Sequence, residues 1–292
     1  MARHPLGFLA ALGFAAQPAE QVVKALAEIG YDCIEWTLSH FNPAAMAPAD
    51  LNAVADIPKR YGMDTSELVV QQDFITLDAS AWKQRIDLTA DCIRAAADAG
   101  IGMINLFSGP APWDPSAPVV NRDVSEQQAW EMLFHSFDRL LPVAEDNHVC
   151  LALEAVFGML CRDYYTTRVL FDRYDSPCLG INMDPSHYAL YRNDLSWVVR
   201  EWGARIKHVH MKDVIGVPGQ IGESFTFPLM GEGMIDWPAF VQSLDDVGYT
   251  GPLSIEYEAF TYYRNVLKSD PVRAARQSYE DVQALLGDYL MR

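Results

Sequence analysis

Four short runs, LALE (151–154), GINMD (180–184), IKHVH (206–210) and LSIE (253–256), each end in a residue type that binds metal ions. The terminal residues are Glu154, Asp184, His210 and Glu256, separated by 30, 26 and 46 positions. The first two intervals hold one helix and one loop between consecutive strands, and residues 212–235 supply the excess of the third. Residues at the carboxyl ends of successive parallel strands converge at the mouth of a (β/α)8 barrel, where such barrels keep their chemistry. The expected fold is a single-domain (β/α)8 TIM barrel over residues 1–292, built around one divalent cation.

The rest of the chain extends the pattern. Strand-like runs fall at Leu6–Leu9, Cys33–Trp36, Ser66–Val70, Met103–Phe107, Cys150–Glu154, Leu179–Asp184, Ile206–His210 and Leu253–Glu256. Apolar stripes at helical spacing lie between them, as in Gln17–Ile29, Trp82–Ala99 and Glu126–Asn147. Glycines 30, 62, 100 and 248 punctuate helix ends before the next strand. The apolar stretch Leu6–Ala16 behind Arg3 has some character of a secretory leader. Reading it as the first barrel strand completes a set of eight, so that reading is preferred.

Composition narrows function. With 39 acidic and 22 basic residues, the net charge of −17 repels polyanionic backbones and provides no basic stripe for nucleic acid. No run reaches the roughly 18 apolar residues of a membrane span. The five cysteines form no Cys-x-x-Cys pair and are odd in number, as expected of reduced thiols in a cytoplasmic protein.

Three carboxylates and one imidazole make an oxygen-rich ligand set. That suits Mn²⁺ best, with Mg²⁺ or Co²⁺ as alternatives, since zinc sites are usually richer in Cys and His. Several residues nearby are candidates for substrate contact: His187 in DPSHY, Lys212 one step beyond His210, Glu35 in CIEW at the end of the second strand, Glu258 beyond Glu256, and Trp113. Phe8, Trp36 and Phe107 are further candidates for an apolar wall. His208 lies one layer below His210 and reads as a core histidine, and Asp213 as a capping or orienting acid. Two long connections, Ser108–Val124 with four prolines and Lys212–Ile235 with five glycines, follow strands and read as substrate walls or lids. In the second, Phe225 and Phe227 would cover the substrate.

A cation held by adjacent oxygens of a hydroxy-ketone or aldose polarises the carbonyl and acidifies the neighbouring C–H. Glu154 or Glu256 can then act as the general base. Reprotonation elsewhere gives isomerisation or epimerisation, and loss of a β-substituent gives elimination.

On LALEAV, NMDPSHYAL, IKHVHMKDV and MGEGMIDWPAFVQSLDDVGYTGPLSIEYE, the chain resembles the xylose isomerase-like barrel superfamily, in its sugar phosphate isomerase/epimerase branch. The resemblance covers essentially the whole chain. It implies metal ligands at Glu154, Asp184, His210 and Glu256, and a substrate-contacting histidine at His187. It also implies a proton-transferring pair at Glu154 and Glu256, as in the ketose 3-epimerases. Those epimerases carry a glutamate six residues after the first ligand, where this chain has Leu160, and an arginine soon after the ligand histidine, which 211–219 lack. The HMKD form is closer to inosose dehydratase-like members. Related activities include hydroxypyruvate isomerase, 3-dehydroshikimate dehydratase and C-glycoside deglycosidase catalytic subunits.

The leading expectation is an isomerase or epimerase of a sugar or keto-sugar. The runner-up is a lyase sharing the same enolisation. An apurinic endonuclease of the same fold is disfavoured by the charge, and a non-catalytic binding barrel is the remaining alternative. Expected partners are a small carbohydrate and either further copies of the chain or a partner subunit.

Overall fold

The computed structural model describes residues 4–290. Eight parallel strands close into a barrel: β1 (Leu6–Leu9), β2 (Cys33–Thr37), β3 (Asp64–Val70), β4 (Met103–Leu106), β5 (Cys150–Glu154), β6 (Leu179–Met183), β7 (Ile206–Met211) and β10 (Leu253–Ile255). The remaining two, β8 (Ile215–Gly216) and β9 (Phe225–Thr226), pair antiparallel as a hairpin in the connection between β7 and β10.

The apolar N-terminal stretch is a barrel strand. Leu6–Leu9 pairs with β2 on one side and β10 on the other, which closes the ring. Leu12–Ala16 turns as a 3-10 helix, so the first α-helix starts at Ala19 rather than Gln17. That helix buries Val22, Val23, Leu26 and Ile29. Arg3 lies outside the described residues. The helix Glu126–Asn147 opens on a capping box in which Ser125 and Gln128 satisfy each other's backbone N–H.

Two bulges set the barrel interior. Between β2 and β3 the register passes from Ile34↔Thr65 to Glu35↔Glu67, leaving Ser66 unmatched. Between β6 and β7 it passes from Ile181↔Ile206 to Asn182↔His208, leaving Lys207 unmatched. An extra residue re-aims the side chains around it. Glu35, Glu67, Asn182 and His208 are all fully buried, and hydrogen-bond or approach one another in one group. This polar layer sits where such barrels commonly pack branched apolar residues. The apolar core lies instead between strands and helices, with Ile34, Leu68, Ile104, Leu151, Ile181 and Val209 at 0% exposure.

All five cysteines are free. Among the described residues, no helix is long and apolar enough to cross a membrane.

Candidate metal centre

Strand ends deliver the four expected ligands to one place. Glu154 closes β5, Asp184 directly follows β6, His210 is the penultimate residue of β7, and Glu256 directly follows β10. One ligand atom from each lies within 4.8 Å of the others. Asp184 is divided between two tasks: Oδ1 accepts from the Ser186 N–H at 2.8 Å and caps the short helix Pro185–Leu190, which leaves Oδ2 for the centre.

Nδ1 of His210 faces Glu154 Oε2 at 3.4 Å and Glu256 Oε2 at 3.3 Å. This nitrogen is buried without a hydrogen-bond partner. Such atoms are rare in proteins and ask for an explanation. A cation bound between the nitrogen and the carboxylates supplies one. The charge agrees: with His210 a neutral ligand, the three ligand carboxylates against the Lys212 ammonium leave two negative charges, which one divalent ion neutralises. Burial opposes ionisation of Glu154 and Glu256. Even so, the protonated form of His210 holds Glu154 well below the usual carboxylate range, and Lys212 with that imidazolium holds Glu256 at about 2, a role that passes to the cation when His210 binds it as a neutral ring.

Lys212 lies among these acids. Its Nζ is 2.9 Å from Asp184 Oδ2 and 3.2 Å from Glu258 Oε2, and it also contacts Glu256. Burial disfavours the ammonium, but the three carboxylates outweigh it and raise its pKa well above the ordinary lysine value. Burial and the neighbouring Glu256 push Glu258 up to about 7, in spite of Lys212. His187 projects from the helix after Asp184. Its Nδ1 accepts from the Phe157 N–H at 3.4 Å, so the ring proton sits on Nε2. That Nε2 points at Asp184 Oδ2 (3.4 Å) and Glu154 Oε1 (3.6 Å).

A cavity of about 490 Å³ opens above the centre, lined by Glu154, Glu256, His187, Lys212, Glu258 and Trp113 among others. Its apolar wall includes Phe107, Phe157, Phe227 and Phe260, and Trp113 packs 6.1 Å from Phe107 and 6.0 Å from Phe157. A second space of about 200 Å³ shares Gln71, Glu256, Glu258 and Phe260 with the first, and Phe8 lines it. Trp36 is fully buried core and lines neither.

Glu35 does not reach the cavity where a substrate hydroxyl would lie. It is 0% exposed and its Oε2 meets His210 Nε2 at 2.9 Å, beneath the centre. The reason is register: β2 continues two residues past Glu35, which pairs with Leu9 and Glu67 one layer below the mouth. His208 is buried as expected, with Nδ1 3.2 Å from Asn182 Oδ1, and burial pulls its pKa down to about 4.

The connection after β7 forms the roof. Ile221, Gly222, Thr226 and Phe227 line the cavity, and Phe225 packs 4.8 Å from Phe157. Asp213 anchors this connection. Its carboxylate accepts from the N–H groups of Val214, Gly231, Gly233 and Ile235 and from Trp237 Nε1, at 2.9–3.4 Å. A Cβ at Gly233 would stand 2.0 Å from Asp213 Oδ1, so only glycine permits this approach.

Sequence reasoning missed Glu67, Asn105, Asn182 and Phe157. Asn105 donates to Glu154 Oε2 at 2.9 Å, and Asn182 Nδ2 lies 3.4 Å from both Glu154 and Glu67. The available signal was polar residues inside otherwise apolar strands, two positions below a ligand in the case of Asn182.

Comparison with known proteins places this geometry in a family. The sequence matches the profile described as xylose isomerase-like TIM barrel over residues 23–284. An uncharacterised protein of Methanocaldococcus jannaschii is 25% identical over 256 residues, 85% of this chain and 82% of that one. The inosose dehydratase of Clostridium perfringens is 25% identical over 148 residues, 46% of this chain and 49% of the dehydratase. Among solved structures, the IolI protein with a bound zinc atom superposes with a TM-score of 0.76 at 16% identity, over 99% of this chain and 100% of its own. A 3-keto-D-glucoside 4-epimerase from E. coli gives 0.74 at 16% identity, over 97% and 100%. At such identities the solved structures establish the shared fold, while the profile spans most of the sequence. The chain belongs to the xylose isomerase-like TIM barrel family.

Proposed function

We propose that this protein is a divalent-metal-dependent isomerase or epimerase of a sugar or keto-sugar, moving a proton at the carbon beside a carbonyl. The carrying observation is the pair Glu154 and Glu256. They reach His210 Nδ1 from opposite sides of β7, one from β5 across β6 and the other from the adjacent β10. Two ionised carboxylates so placed can take a proton at one position and return it at another.

Glu154, Asp184, His210 and Glu256 would hold the cation, with Mn²⁺ preferred for an oxygen-rich set. When bound, it polarises the carbonyl and lowers the cost of negative charge on its oxygen. The protein does the rest. The Nε2–H of His187 donates to a substrate hydroxyl, Lys212 sets a positive charge beside the reacting oxygens, and Trp113 with the phenylalanine wall excludes water. The carbohydrate epimerase and dehydratase among its relatives support a sugar as substrate.

A lyase is the second reading, favoured by Glu258. An acid titrating at about 7 within 3.2 Å of Lys212 is suited to protonating a departing hydroxyl or aglycone. One experiment tests both. Mn²⁺-loaded protein is incubated in D₂O with ketoses, inososes and 3-keto-sugars. Deuterium entering a recovered or rearranged sugar supports isomerisation or epimerisation, release of water or an aglycone supports the lyase, and no exchange with any substrate of these classes counts against both.

A further inference from the structure

We propose that Glu35 is the positioning carboxylate of the metal centre: it holds His210 with the proton on Nε2, so that Nδ1 presents its lone pair to the cation. The inference rests on the metal-centre reading and is independent of which reaction the centre runs.

Three observations carry it. The first is the contact itself. His210 Nε2 lies 2.9 Å from Glu35 Oε2, while Nδ1 on the other side of the ring looks onto Glu154 and Glu256. One nitrogen is engaged below the ring and the other is left to the ligand set. A carboxylate behind a metal-bound imidazole fixes the tautomer and ring orientation and raises the basicity of the ligand.

The second is the burial of Glu35. Enclosing a carboxylate at 0% exposure is costly unless it is paired and hydrogen-bonded. Glu35 lies 3.9 Å from His208 Nε2, too far for a hydrogen bond, so His210 is its close partner. Glu67 is the rival carboxylate in the same layer, but its Oε1 stands 3.5 Å from the same nitrogen.

The third is backbone construction. The register slip between β2 and β3 falls at Ile34/Glu35 and seats Glu35 opposite Glu67 under the mouth. Bulges recur next to active sites because they re-aim one side chain. Here the extra residue is Ser66 on β3, and the slip brings Glu67 level with Glu35 in the layer beneath His210.

A competing arrangement exists. Asn182 Nδ2 lies 3.1 Å from His210 Nε2, and a bare Nε2 could accept from it. That would set an acceptor against the Glu35 carboxylate at 2.9 Å. The Asn182 amide has two other acceptors within 3.4 Å, Glu67 and Glu154, whereas beside His210 the donor near Glu35 is the Ser254 hydroxyl, His208 Nε2 standing 3.9 Å away.

The test reads the tautomer and the affinity separately. Full-length protein labelled with ¹⁵N-histidine and loaded with Zn²⁺ is examined by NMR. The expected result for His210 is a protonated Nε2 and a metal-shifted Nδ1; a bare or metal-bound Nε2 overturns the proposal. This needs no variant and so does not depend on a mutant folding. In parallel, Glu35→Gln is titrated with Zn²⁺ against a chromophoric chelator, with circular dichroism of the metal-free protein as a control for folding. The expected change is affinity weaker by about 10–100-fold with the fold retained, the usual effect of removing such a partner. Wild-type affinity in a folded Glu35→Gln also overturns it. Failure of the unaltered protein to bind Zn²⁺, Mn²⁺ or Co²⁺ would remove the metal centre itself, a different result from normal binding with the wrong tautomer.

Discussion

Single side chains separate holding a cation from moving a proton. His210→Ala removes the nitrogen that faces both glutamates. Elemental analysis of protein purified without chelator is expected to find near-stoichiometric Mn, Mg, Co or a substitute in the unaltered chain and none in His210→Ala. A clean, fully active, metal-free protein would refute the centre. Glu154→Gln and Glu256→Gln keep an oxygen but lose the base, so turnover should fall by about 10²–10⁴. Undiminished turnover in both, with metal retained, rules out the proton-transfer role. The four candidate ligands were legible because each falls within one residue of a strand end, where even an uncertain boundary leaves it at the mouth. The layer beneath was not. Glu35, Glu67, Asn182 and His208 are ordered by extra residues at Ser66 and Lys207, and alternation along one strand cannot reveal a slip against its neighbour. Alternation along β2 alone points Glu35 inward, and its depth below the mouth follows from its pairing with Leu9 and Glu67.

At the level of elements, the eight strands were readable from apolar runs and their spacing, with boundaries shifted by a residue or two. The hairpin β8–β9 was not, since each of its strands spans two residues. Its dependence on Asp213 is open to measurement. Asp213→Ala strands the buried N–H donors of Val214, Ile235 and Trp237, and losing such hydrogen bonds to a charged group should cost about 3 kcal/mol. Denaturant unfolding measures that loss, and limited proteolysis should find new cleavage near residues 217–224. Unchanged stability would mean the connection is held by its apolar contacts alone. Replacing Pro218–Glu223 with a short turn removes Ile221 and Gly222 from the cavity wall and leaves the Asp213 contacts in place. The expected outcome is lower kcat and higher KM at unchanged metal content. Light scattering on the same variant separates a roof from an assembly contact: unchanged mass with lost activity supports the roof, and dissociation with intact chemistry refutes it.

For the whole molecule, a cation bound only by the folded state adds stability by mass action. At a free concentration about 100 times its Kd the gain is about 2.7 kcal/mol. For chains near this size that corresponds to a rise in Tm of about 5–10 °C. Thermal scans with Mn²⁺, Mg²⁺, Co²⁺ and Zn²⁺ check this, and no shift with any of them counts against the centre. The acidic surface, with a net charge of −17, favours neutral or mildly charged ligands over polyanions. Asp213 clasps the chain as it leaves the barrel at Val214 and again as it returns at Gly231, Gly233 and Ile235. Closing a flexible loop twice as long costs only about 0.6 kcal/mol more. Insertions between those clasps are therefore nearly neutral for the barrel while they redraw the ceiling above the ligand. Mutation can explore new substrates in this one cassette without risking the scaffold, and diverging paralogues are expected to vary in length there while retaining the acid that pins it.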